Sequence, residues 1–175
     1  MEKQIKTLLN KSLSNDEIMN IIDGKANLIP YSKVHKYKTL DQLLGKYKAC
    51  IILYETKQNY GHWCCIFMNT PKLCEFFDPY GLFPDVELKF INNNYAKMSY
   101  QDKKYLTQLM IDSPYLLSYN HFPFQQLKEG VNTCGRWVAL RLLFRHLLLD
   151  DFIKIFGKKR GFSKDVGAAL ITINA

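Results

Sequence analysis

Apolar positions along the chain change rhythm several times, and each change marks an element. Ser14 to Glu17 has the Ser-x-x-Glu spacing of a capping box, which predicts a short helix through Ile22 with Gly24 just past its end. Thr39 is placed to cap a second short helix over residues 40–44, which Gly45 stops. Residues 49–54 (ACIILY) form a continuous apolar run, the mark of a strand covered on both faces. Residues 62–68 (HWCCIFM) and 73–78 (LCEFFD) predict two more strands, joined by a hairpin turn at 69–72.

Beyond the hairpin, residues 85–90 predict a helical turn. A fuller helix is expected over 101–111, with Tyr105, Leu106, Leu109 and Met110 on its apolar side. Residues 115–119, and then 122–126, read as extended chain. The most apolar helix is expected over 134–149, with apolar side chains on most faces, and such a helix is central and buried. Smaller helices over 151–156 and 163–173 close the chain. This order of helix, strands, then helices predicts an α+β fold with a mixed sheet. No repeat or Pro/Gly/Ser linker interrupts it, so we expect one domain over residues 1–175.

Composition narrows the class. At 47% hydrophobic and 14% aromatic residues the chain is too apolar to be disordered. It has no apolar run of about 18 residues, so no membrane span is expected. The start, Met1-Glu2-Lys3-Gln4, leads into no apolar core of a secretory signal, so export is not expected either. Five cysteines (Cys50, Cys64, Cys65, Cys74, Cys134) are an odd number, which suits a reduced compartment. None has the paired spacing that zinc asks for, and no metal is expected. The net charge of +8 is uneven, with seven lysines against Asp41 and Glu55 from Lys25 to Lys57, and five basic residues without an acid from Lys154 to Lys164. Such stretches attract phosphate backbones, although a solvated lysine-rich surface has the same appearance.

The candidate chemistry lies in four blocks. His62 opens one strand of the hairpin and Asp78 closes the other, so antiparallel pairing brings them to one end. If opposite residue numbers sum to 140 they face each other directly; a one-residue slip makes them diagonal neighbours. In either case the carboxylate can accept the imidazole N–H and raise its basicity. Asn132-Thr133-Cys134-Gly135-Arg136-Trp137 places Cys134 in the first turn of the central helix, with Asn132 or Thr133 as cap. Unpaired N–H groups and the helix dipole favour a thiolate there and can hold an oxyanion. Gly135 is expected to let a substrate backbone approach the sulfur. Gln125-Gln126 lies just upstream, and a side-chain amide is a suitable second oxyanion donor.

Taken together, Gly61-His62-Trp63, Phe76-Phe77-Asp78-Pro79-Tyr80-Gly81, Gln125 and Asn132-Thr133-Cys134-Gly135-Arg136-Trp137 resemble the adenain/Ulp1-like cysteine proteases. Within that group the chain is similar to the maturation proteases of virophages, polinton-like viruses and giant DNA viruses, over about Leu13 to Phe156. The resemblance implies a papain-like site with Cys134 as nucleophile, His62 as general base, Asp78 as its orienting acid and Gln125 at the oxyanion hole. The Phe124-Gln125-x-Leu127 pattern favours Gln125, whereas spacing alone favours Gln126. Trp63 matches the family position that walls a narrow slot for glycine-rich substrate; it reads equally as a core aromatic.

The implied activity is a viral endopeptidase that cleaves capsid or core precursor proteins at glycine-rich sites, acting as a monomer in the virion and host cytoplasm. The chemistry needs no cofactor, while relatives respond to DNA and to a peptide activator. Lys158, Lys159 and Arg160 are where DNA contact is expected; Cys74 is a candidate for a disulfide to an activator but reads better as a buried structural thiol. Two rival readings are an isopeptidase acting on ubiquitin-like conjugates and a catalytically silent, basic DNA-associated virion protein.

Overall fold

The computed structural model describes residues 2–158 and 161–173. Its frame is a five-stranded sheet in sequence order: β1 (Asn27–Pro30), β2 (Ala49–Lys57), β3 (Tyr60–Met68), β4 (Leu73–Phe77) and β5 (Leu116–Tyr119). The three central strands are antiparallel neighbours, while β1 runs parallel to β2 and β5 parallel to β4. The fold is therefore α+β around a mixed sheet.

Both faces of that sheet are covered, which explains the unbroken apolar run in β2. Side chains alternate across a strand, so neighbouring residues enter different cores. Ile51, Leu53, Trp63, Cys65 and Phe67 face one core with Trp137, Val138 and Phe152. Cys50, Ile52, Tyr54, Cys64 and Ile66 face the other with Tyr31, Val34, Leu43 and Leu106. On the first side lie α2 (Asn15–Ile21), α6 (Cys134–Leu143), α7 (Leu149–Phe156) and α8 (Lys164–Ile171). On the second lie a 3₁₀ turn (Tyr31–Lys36), α3 (Leu40–Leu44) and α5 (Tyr105–Ile111).

Several expectations shift. The capping box is formed, Ser14 and Glu17 exchanging bonds with each other's backbone N–H. The helix expected over 101–111 begins only at Tyr105, because the buried Gln101 side chain is engaged elsewhere. Its amide accepts from the Glu55 N–H and donates to the Glu55 carbonyl, filling the irregularity where β2 loses register with β3. The central helix stops at Leu143 rather than 149. Past it, the carbonyls of Phe144, Arg145 and Leu147 accept from the Arg141 guanidinium and the Asn69 amide, and the chain turns before α7. Residues 122–126 do not extend the sheet; the Phe124 and Gln125 N–H groups both donate to the Pro79 carbonyl instead. Without strong patterning, α1 (Glu2–Asn10), α4 (Asn93–Met98), β1 and the Tyr31–Lys36 turn were not anticipated.

Candidate active site

His62 enters the site through a close contact of β2 with β3. An added Cβ at Gly61 would lie 1.8 Å from the Tyr54 carbonyl oxygen, so the neighbouring position must be glycine. β4 ends at Phe77, and Asp78 is the next residue. The register differs from expectation by two residues: Cys65 pairs with Phe77, so Cys64 is the residue across from Asp78 and His62 is its diagonal neighbour. The diagonal is still short enough for a direct bond. His62 Nε2 lies 2.8 Å from Asp78 Oδ1, with both side chains buried.

The carboxylate is itself held. Asp78 Oδ1 also accepts the Tyr80 N–H at 2.7 Å. Asn120, fully buried, accepts the Asp78 N–H at 2.8 Å and donates to the Asp78 carbonyl. The Tyr80 ring stacks on the imidazole, centroids 4.4 Å apart and planes within 14°. Ring and carboxylate together fix the orientation of His62. With Nε2 committed to Asp78, Nδ1 is the nitrogen left for a second partner.

Burial works to lower the basicity of His62. It is outweighed by the neighbouring Cys64, by the charge and hydrogen bond of Asp78 and by the nearby Cys134, so its pKa lies well above 6.5. Burial holds the Cys64 thiol well above the usual thiol range.

Cys134 is the first residue of α6, where N–H groups have no helical partner. Thr133 precedes it but does not cap with its hydroxyl. That hydroxyl donates to Asp165 Oδ1, which also accepts Trp137 Nε1–H at 2.9 Å, while Asp165 Oδ2 accepts the Gln126 N–H at 3.0 Å. One buried carboxylate thus joins the start of α6 to the loop that carries the glutamines.

The two glutamines diverge. Gln125 is buried, its amide donating to the Val131 carbonyl at 2.9 Å and the Tyr80 hydroxyl at 3.2 Å. Gln126 has an exposed side chain, so Gln125 is the one gathered with His62, Asp78 and Cys134. Trp63 is only 5% exposed; it belongs to the core and also lines a cleft of about 370 Å³ with Ser14, Tyr60, Gly61 and Cys134. A second, more apolar groove of about 790 Å³ starts from Tyr80 and Gln125 and includes Leu82, Glu87 and Phe90. Burial, ahead of its neighbours' charges, raises the Glu87 carboxyl above its ordinary value.

The structure bears on three further expectations. Gly135 does not open space for substrate: an added Cβ would meet Ile18 Cδ1 at 2.9 Å and Leu13 Cβ at 3.3 Å, so the missing side chain admits the amino-terminal segment. Cys74 is fully buried and burial pushes its thiol up to about 12, which is unsuited to disulfide exchange. Although no cysteine pair has zinc spacing, donor atoms of His62, Cys64 and Asp78 lie within 4.8 Å of one another, all buried. A cation there would have to replace the His62–Asp78 hydrogen bond. Lys158 is exposed, in a pocket with Phe162 and Ile171, whereas Lys159 and Arg160 lie outside the described residues. Among the described residues no helix is long and apolar enough to cross a membrane.

Sequence reasoning missed Asn120 and Asp165. Asn120 stands in a polar turn-like stretch, and Asp165 has the look of an ordinary first-turn acid after the Ser163 cap. A buried carboxylate or amide whose partners are some 30 to 40 residues away leaves no local signature.

No protein-family model matches the chain. It is 40% identical over 171 residues to "Uncharacterized protein V9" of the Sputnik virophage, covering 98% of both chains. Among solved structures, the crystal structure of the ASFV pS273R protease superposes at a TM-score of 0.46 and 13% identity, over 93% of this chain and 67% of that one. The central domain of the Lpg1148 protein from Legionella pneumophila gives 0.35 and 16%, over 94% and 85%. Both superpositions are loose.

Proposed function

We propose that this chain, which belongs to the family of protein V9 of the Sputnik virophage, is a cysteine endopeptidase. The observation that carries the reading is the buried His62–Asp78 pair, bonded at 2.8 Å, with Cys134 near the same imidazole at the N-terminus of α6. In this reading His62 takes the thiol proton and the sulfur attacks a peptide carbonyl. The Cys134 N–H and the Gln125–Tyr80 side of the site stabilise the tetrahedral oxyanion. Imidazolium then protonates the departing amine, and water releases the acyl group.

The substrate we propose is a viral capsid or core precursor cut at a glycine-rich site during maturation. The narrow, Trp63-walled cleft beside Cys134 supports this, because an indole wall admits bare backbone and meets larger side chains by overlap. The test is incubation of the purified chain with viral structural proteins and Gly-Gly-containing peptides, with cleavage sites mapped by mass spectrometry. Cleavage following glycine, absent in a folded Cys134→Ala chain, is the expected result. Equal cleavage by Cys134→Ala, or no thiol-dependent cleavage of any of them, contradicts the proposal.

A further inference from the structure

A side-chain amide has two N–H donors, and in Gln125 both are taken, by the Val131 carbonyl and by the Tyr80 hydroxyl oxygen. Gln125 Oε1 is buried and has no hydrogen-bond partner among the described residues. Turning the amide over would set that oxygen against the Val131 carbonyl, so the arrangement is fixed as it stands. The glutamine therefore has no spare N–H to offer a developing oxyanion.

Tyr80 does have a spare donor. Its hydroxyl oxygen receives the Gln125 N–H, and among the described residues nothing accepts its own proton. The residue is clamped from two sides, by the stack on His62 and by its N–H on Asp78 Oδ1. It lines the groove that begins at Gln125. Burial, opposed by the His62 charge, keeps the phenol above its ordinary pKa, so it remains a neutral donor.

We infer that Tyr80 is a catalytic residue whose hydroxyl donates the second hydrogen bond to the oxyanion, and that Gln125 is the positioning residue that holds this hydroxyl. The inference rests on the endopeptidase reading. The proton stays on Tyr80 throughout: the C–S bond forms, the carbonyl π pair moves to oxygen, and the O–H stabilises that charge until it returns and the amine leaves. A hydrogen bond received from Gln125 polarises the phenol O–H and strengthens the one it donates.

The experiment compares wild type, Tyr80→Phe, Gln125→Ala and the double variant in two reactions at Cys134. One is acylation by acetyl-glycylglycine p-nitrophenyl ester, which passes through an oxyanion. The other is alkylation by iodoacetamide, which does not. Tyr80→Phe keeps the ring on His62 and should slow acylation by about 10²-fold, the usual loss for one oxyanion donor, with alkylation within about threefold of wild type. Because the two residues act in series, adding Gln125→Ala to Tyr80→Phe should cost less than about threefold more. Acylation by Tyr80→Phe at the wild-type rate overturns the inference alone, as does an equal slowing of alkylation, which would make Tyr80 a support for His62. Wild-type chain that acylates no faster than Cys134→Ala overturns the endopeptidase reading, and this inference with it.

Discussion

The strand that leads to Asp78 and the helix that begins at Cys134 are tied by one buried ion pair, and breaking it should be costly. Glu75 lies on β4, three residues before Asp78, and Arg141 lies on α6, about two turns after Cys134. Their side chains are 1% and 0% exposed and meet in two parallel bonds, Nε to Oε1 and Nη2 to Oε2, both 2.8 Å. The guanidinium also donates to the Phe144 and Leu147 carbonyls and sits between the Phe67 and Phe152 rings, at 4.9 and 4.8 Å from their centroids. Glu75→Ala removes both charged bonds and leaves a cation in the core.

Losing one member of a buried pair costs about 3–5 kcal/mol. The carbonyls and rings that remain favour the lower end, about 3 kcal/mol, since hydrogen bonds to a charged group and cation–π contacts persist. With a urea slope near 2 kcal/mol/M, that moves the unfolding midpoint down by about 1.5 M. The companion Glu75→Leu/Arg141→Met should recover most of the loss, because replacing both charges by apolar groups of similar volume is close to neutral. A midpoint for Glu75→Ala within about 0.3 M of wild type, equivalent to roughly 0.5 kcal/mol, would refute this account of how β4 and α6 are joined.

Other expectations follow from the same contacts. Asp165→Ala leaves the Thr133 hydroxyl, Trp137 Nε1–H and Gln126 N–H without an acceptor. At about 1 kcal/mol each it should lose about 3 kcal/mol, readable in urea unfolding, and Trp137→Phe only part of that. Gly61→Ala forces backbone apart at the Tyr54 carbonyl and should lower both stability and Cys134 alkylation, whereas an insertion that small on an open strand would be silent. For His62 the sign is set by a raised folded-state pKa: the stability it contributes is complete below about pH 6.5 and is lost as pH rises through the folded value. In Asp78→Asn burial meets less opposition, so the imidazole followed by NMR should titrate at lower pH than in wild type; an unchanged midpoint would remove Asp78 as a cause.

How much of this was legible in the sequence differs by the range of the interaction involved. The capping box at Ser14, the Thr39 cap and the apolar strands are set by neighbours within a few residues, and they formed where the pattern put them. The strand register was not local: it depends on how both cores fill, and it settled two residues away from the simplest facing of His62 with Asp78. Cys64 consequently entered the site, which no spacing rule suggested. The end of α6 was hidden for a similar reason, since the carbonyls just past it accept from Asn69, which lies far upstream in the chain. Residue types could suggest that Gln125 and Tyr80 belong near Cys134; only the hydrogen bonds reveal that the amide is already occupied and the phenol is not.

The central claim, that Cys134 is a nucleophile activated by His62, is tested most directly by site-resolved alkylation near pH 6. An unperturbed thiol with a pKa of about 8.5 barely reacts there, and a histidine-paired thiolate does. The account predicts fast labelling of Cys134 alone among the five cysteines, lost in His62→Ala. Labelling of Cys134 as slow as that of the other thiols, or undiminished in His62→Ala, would contradict it.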